Sequence, residues 1–151
     1  MYPCLNGSMT APERRLIWLL ARAQRRVMAQ GDASLAKLGL TATQAGALFC
    51  VHDTEGTTIG ALADALDLAQ SAASGLAQRL ENAGLVVRAP NPQDGRSVRL
   101  VLTKTGRKRR EEATRIAHAG NAALSAGFSE AEIIIVARWL ARIGTATETG
   151  K

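Results

Sequence analysis

Leu16, Leu19, Leu20, Ala23 and Val27 recur at the three- and four-residue spacing of one helical face, which predicts a first helix over about residues 11–30, stopped by Gly31 and Asp32. Thr41-Ala-Thr-Gln44 has the form of a capping box, in which the threonine hydroxyl and the glutamine amide each satisfy a backbone N–H. It opens a second helix through Ala47, Leu48 and Val51 that ends between His52 and Gly56. Thr58 then caps a short helix with the stripe Ile59, Leu62, Ala63 and Leu66. After a turn at Asp67-Leu68, a further helix spans about residues 69–83, with Ala73, Leu76, Ala77 and Leu80 inward and Gly84 as its stop. Two short helices joined by a tight turn form a helix-turn-helix.

The period then changes. Leu85-Val-Val-Arg88 and Ser97-Val-Arg-Leu-Val-Leu102 are β-branched and of strand length, and the turn-rich Ala89-Pro-Asn-Pro-Gln-Asp-Gly95 separates them. Together they predict a hairpin wing directly after the helix-turn-helix. Thr103 caps a long helix to about residue 126, and Ser129-Glu-Ala-Glu132 is a second capping box that opens a last helix.

The predicted fold is mainly α with a small β-hairpin wing: a winged helix-turn-helix with N- and C-terminal dimerisation helices. Residues 1–10 are expected to be a flexible leader and 145–151 a flexible tail. The single domain covers 11–144, with the DNA-binding lobe at about 41–102 and the dimerisation helices at about 11–30 and 103–144. A winged helix alone cannot cover the apolar faces that flank it. Leu16, Leu19, Leu20, Ile133, Val136, Trp139, Leu140 and Ile143 are therefore the expected contact with a second copy of the chain.

Composition narrows the function. The 151 residues are 46% hydrophobic and only 3% aromatic, enough for one aliphatic core, and no apolar run approaches the ~20 residues of a membrane span. With two cysteines, Cys4 and Cys50, there is no disulfide framework, and the expected setting is the cytoplasm. The net charge is +6, but residues 84–110 alone carry +7, whereas 32–67 carry −4. Charge segregated in this way suits a polyanion. Gln70, Ser71, Ser74, Gln78 and Arg79 stand on the second helix of the helix-turn-helix, where short polar side chains reach base edges and phosphates in a major groove. In the wing, Asp94 is placed to orient Arg96 for a narrow minor groove, and Arg99 follows on the next strand.

These motifs resemble the MarR family of bacterial regulators. Leu40-Thr-Ala-Thr-Gln44 is similar to the opening of that family's second helix, and Ile59-Gly-Ala-Leu-Ala63 and Leu80-Glu-Asn-Ala-Gly-Leu85 to its helix-turn-helix flanks. Asn91-Pro-Gln-Asp-Gly-Arg-Ser97, followed by Leu102-Thr-Lys-Thr-Gly106, resembles its wing signature. The resemblance covers about residues 38–110. It implies an obligate homodimer on pseudo-palindromic double-stranded DNA, more often a repressor, relieved by a small phenolic or lipophilic ligand or by cysteine oxidation. Three positions depart from the pattern: Asn91 replaces the usual Asp, Ala69 a capping Ser, and Gly75 a basic residue.

Other chemistry is sparse. His52 and His118 have no second metal ligand at helical spacing, and no nucleophile–base constellation or phosphate-cradling loop occurs, so neither a metal, a cofactor nor an enzymatic activity is expected. Trp18, Arg22, Phe49 and His52 offer apolar walls and a cation for a small effector. Cys50, in an apolar stretch, is expected to be a packed thiol, and Cys4 lies in the leader. Two other readings are a non-specific or architectural winged-helix module and a cysteine-based redox sensor.

Overall fold

The structure is a computed structural model that describes residues 15–91 and 94–145, without the side chains of residues 95, 96 and 145. The proposed leader with Cys4, the end of the tail and the Arg96 side chain therefore lie outside the described residues. In chain order the elements are α1 (Leu16–Leu35), a 3-10 turn (Ala36–Leu38), α2 (Ala42–Cys50), β1 (Thr57–Thr58), α3 (Ile59–Ala65), α4 (Gln70–Asn82), β2 (Val86–Asn91), β3 (Asp94–Leu102), α5 (Lys104–Ser125) and α6 (Glu130–Thr145). The described residues form two compact units that divide between Ala113 and Thr114, and α5 contributes to both.

The first helix corrects the expected stop at Gly31 and Asp32, because α1 continues to Leu35. The two residues serve a junction instead. A Cβ added at Gly31 would stand 3.2 Å from the Ala42 Cβ, so the missing side chain lets α2 approach. The Asp32 carboxylate accepts the Ala42 N–H at 2.7 Å, satisfying a donor that the start of α2 leaves open. Thr41 supplies the capping box foreseen in the sequence: its hydroxyl accepts from Gln44 N, and Gln44 Oε1 accepts from Thr41 N.

The helix-turn-helix follows. Thr58 caps α3 by accepting from Ala61 N at 3.1 Å. Asp67 takes a left-handed φ of 52° in the turn, a conformation that Asp and Asn tolerate better than other side chains. Ala69 stands at the start of α4 without a side-chain cap, in keeping with the missing Ser at this position. Leu62 and Ala63 of α3 and Ala73, Leu76, Ala77 and Leu80 of α4 are buried, joined by Ala47, Leu48 and Val51 and by Leu85, Val86, Leu100 and Leu102. Full burial of each large aliphatic side chain contributes about 1.5–3 kcal/mol.

The sheet has the antiparallel order β1-β3-β2. The third strand, β1, pairs Thr57 with Leu100 and Thr58 with Arg99 and was not foreseen: two residues carry no period. The wing ladder is also longer than expected, with Pro90 opposite Val98 and a register irregularity at Pro90/Asn91. The hairpin thus absorbs residues that read as turn. Thr103 accepts from Gly106 N at 2.9 Å to start α5.

In the second unit, Ser129 and Glu132 form the expected reciprocal cap of α6, with Ser129 N donating to Glu132 Oε2 at 2.8 Å and Ser129 Oγ accepting from Glu132 N at 3.4 Å. Among the described residues, no helix is long and apolar enough to cross a membrane.

Candidate nucleic-acid interface

The inward stripe of α4 leaves the opposite stripe in solvent. Gln70, Ser71, Ser74, Gln78 and Arg79 are all exposed there, and Ser71, Ser74 and Gln78 share one line by their spacing of three and four. Gly75 lies in the same region, and a Cβ placed on it would be 3.6 Å from Arg79 Nη1. The Arg79 guanidinium therefore covers the position where a basic residue was missing and brings a positive charge to it from one turn on.

Gln78 is held by its neighbours. Its Nε2 donates to Glu81 Oε2 at 3.2 Å and to Asn82 Oδ1 at 3.0 Å, and its Oε1 accepts from Arg88 Nη2 at 3.5 Å. Arg88, on β2, also donates from Nε to Glu81 at 3.1 Å. Glu81, Asn82 and Arg88 were not singled out from the sequence. The spacing of Gln78 to Glu81 and Asn82 is legible on a helix, but the link to Arg88 crosses to a strand and depends on the fold.

The wing is closed near its tip by side chains. Asn91 is buried and its Nδ2 donates to Ser97 Oγ at 2.8 Å, while that hydroxyl donates to the Asp94 carbonyl at 3.2 Å. Asn at this position thus supplies a donor that Asp lacks. Asp94 is exposed, whereas its predicted pairing with Arg96 lies outside the described side chains. Arg99 is half-buried, and its Nη1 donates to the Glu55 carbonyl at 2.9 Å, strapping the loop before β1 to β3.

That helix-turn-helix and wing match the MarR family model over residues 38–97. The chain is also 31% identical over 104 residues to the organic hydroperoxide resistance transcriptional regulator of Bacillus subtilis (strain 168), covering 69% of this chain and 71% of that one. The chain belongs to the MarR family. Solved structures agree across nearly the whole length. CouR from Rhodococcus jostii RHA1 bound to p-coumaroyl-CoA superposes with a TM-score of 0.82 at 26% identity, over 90% of this chain and 96% of that one. The S. aureus MepR–DNA complex superposes with a TM-score of 0.80 at 25% identity, over 87% and 97%. The relatives are transcriptional regulators, and the winged helix-turn-helix fold expected for this one is the fold observed.

Elsewhere in this MarR-family chain the residues singled out are more dispersed. Trp18 and Arg22 meet on α1, with the guanidinium carbon 5.1 Å from the indole centroid, a cation–π contact. Phe49 is exposed. His52 instead lines a recess of about 160 Å³ with Glu55, Gly56, Thr57, Thr58, Ala61 and Arg99, to which Trp18, Arg22 and Phe49 do not contribute. Cys50 is half-buried, and its burial raises the thiol above its ordinary value. No group of three His, Cys, Asp or Glu side chains among the described residues could hold a metal ion. Leu16, Leu19 and Leu20 of α1 and Val136, Trp139 and Leu140 of α6 are all exposed, with Ile133 and Ile143 partly so.

Proposed function

We propose that this protein is a homodimeric DNA-binding repressor of the bacterial cytoplasm, without enzymatic activity, released from its operator by a small lipophilic or phenolic ligand. The observation that carries the reading is the exposed polar stripe of α4, Ser71, Ser74 and Gln78, followed at once by the β2–β3 wing. In the proposed complex α4 enters the major groove, with Gln70, Ser71, Ser74, Gln78 and Arg79 toward bases and phosphates, and Asp94 orients Arg96 at the minor groove. Arg99, on β3, is the further DNA contact proposed for the wing, held by its bond to the Glu55 carbonyl. Pairing through α1 and α6 covers their apolar residues and sets two recognition helices on one duplex. The MepR–DNA complex and CouR bound to a 23-mer duplex support DNA as the partner, and p-coumaroyl-CoA on CouR supports a phenolic effector. A ligand of this kind acts only by binding the DNA-incompetent spacing of the two helices more tightly than the competent one.

A redox switch is the second reading, favoured by the name of the B. subtilis hydroperoxide-resistance relative. Partial burial and a raised thiol value make Cys50 a poor nucleophile toward peroxide. The double variant Cys4→Ser, Cys50→Ser is expected to keep operator binding and ligand release. If it loses its response while peroxide releases the unmodified protein, redox sensing replaces ligand sensing.

DNA recognition itself is tested by selecting duplexes from a random pool with the full chain, then comparing the selected duplex with a scrambled one as salt is raised. A sequence-specific regulator keeps its discrimination when the non-specific electrostatic part is screened away. Equal affinity for both duplexes at every salt concentration would leave only the architectural reading.

A further inference from the structure

Resting on the DNA-binding reading above, we infer that Gln78 is a specificity-determining residue that reads through its carbonyl oxygen alone, selecting an amino base, adenine or cytosine, over a keto base. A glutamine amide has two donor hydrogens and two acceptor lone pairs. Both Nε2 hydrogens are used within the chain, on Glu81 Oε2 at 3.2 Å and Asn82 Oδ1 at 3.0 Å. One lone pair of Oε1 faces Arg88 Nη2 at 3.5 Å, which leaves the other for a ligand.

The partners also fix which end of the amide is which. Reversing it would set the carbonyl against a carboxylate and the amide nitrogen against a guanidinium. Arg88 in turn donates to Glu81 at 3.1 Å, so the three side chains hold one another. Both members of that ion pair are about one-third exposed, so it adds little to stability. Its consequence is orientation, and Glu81 is a positioning residue.

Gln78 lies in line with Ser71 and Ser74 on the exposed stripe of α4, in the third turn of the helix. In the major groove, adenine N6 and cytosine N4 donate, whereas guanine O6 and thymine O4 accept at the corresponding place. An unconstrained glutamine would pair with adenine through N6 and N7 together. The held one lacks the donor for N7, so it takes adenine and cytosine alike.

The test selects duplexes from a randomised pool with the full chain and with Gln78→Ala, Glu81→Ala and Glu81→Gln, each shown to melt near the parent. The unmodified protein is expected to prefer adenine or cytosine at one position per half-site by roughly three- to tenfold, the worth of one hydrogen bond. Gln78→Ala flattens that position and leaves the rest of the operator unchanged. Glu81→Ala frees one amide hydrogen, admitting guanine and thymine and favouring adenine over cytosine. Glu81→Gln restores an acceptor and keeps the parent preference. A purely structural role for Glu81 would instead lower affinity for every duplex by the same factor.

A preference for guanine or thymine there, or an operator indifferent to Gln78→Ala, overturns the inference while leaving DNA recognition intact. Failure to select any sequence removes the sequence-specific reading, leaving at most an architectural binder, and this inference with it.

Discussion

Arg96→Ala removes the cation at the proposed minor-groove contact, and the expected outcome is substantially weaker binding, with a greater loss on A·T-rich than on G·C-rich flanks. Ser71→Ala and Ser74→Ala should change sequence preference as well as strength, because both face outward from α4. Titration of matched duplexes with either flank checks the first, and repeated selection the second. Equal losses on both flanks would make Arg96 a general phosphate contact. Gly106 is a different kind of residue. A Cβ there would stand 1.9 Å from the Leu85 carbonyl oxygen, at the junction where Thr103 also donates to the Gly84 carbonyl. Gly106→Ala should therefore cost at least ~2 kcal/mol by denaturant unfolding, as backbone rather than a side chain must move.

Burial of the Cys50 thiol makes a pH prediction with a definite sign. Its raised value means that the folded state favours the neutral thiol, so this contribution is fully present below the ordinary thiol value and lost as pH rises through the raised one. Cys50→Ser should lose less stability than the parent between neutral and alkaline pH. Thr58 was legible in the sequence as a helix cap, and Ser71 as an exposed polar side chain of α4. Gln78 was legible only as an exposed polar side chain, since what orients it comes partly from β2.

At the scale of elements, periodicity and caps located the six α-helices of the described residues, though not the 3-10 turn Ala36–Leu38, because the boxes Thr41–Gln44 and Ser129–Glu132 satisfy local backbone donors wherever the helix packs. The end of α1 was misjudged for the opposite reason: Gly31 and Asp32 are read as stops by local propensity, while their partner, Ala42, is ten residues from Asp32. Asp32→Ala should destabilise the first unit by about 1 kcal/mol, the usual worth of a helix-start cap, measured as a shift in denaturant midpoint at unchanged slope. In α6, the hydrogen bond from Ser129 Oγ, followed by that from its backbone, lowers the Glu132 carboxylate below its ordinary value. Its contribution is present above the ordinary carboxylate value and lost as pH falls through the lowered one, so acid should fray the start of α6 first. Amide exchange at 130–133 checks this. The strands were the least legible, since β1 exists only by pairing with β3 and the ladder overrides turn residues near Pro90.

For the whole molecule, the apolar residues Leu16, Leu19 and Leu20 of α1 and Val136, Trp139 and Leu140 of α6 are exposed, and the proposed pairing covers them. Deleting residues 129–151 should yield an aggregating or monomeric chain without operator affinity, measured by sedimentation together with DNA titration. A truncated chain that stays monodisperse and binds tightly would move the pairing elsewhere. Family membership was legible because the wing signature and its following Leu102-Thr-Lys-Thr-Gly106 are local in sequence, whereas an effector site is not. Trp18 and Arg22 touch, yet His52 belongs to a separate recess. The central claim, a two-fold pair of α4 helices reading one duplex, is tested most directly by hydroxyl-radical footprinting of the selected operator. It predicts two symmetric protected half-sites on one face, about 10 bp from centre to centre. A single asymmetric half-site bound by one chain would contradict it.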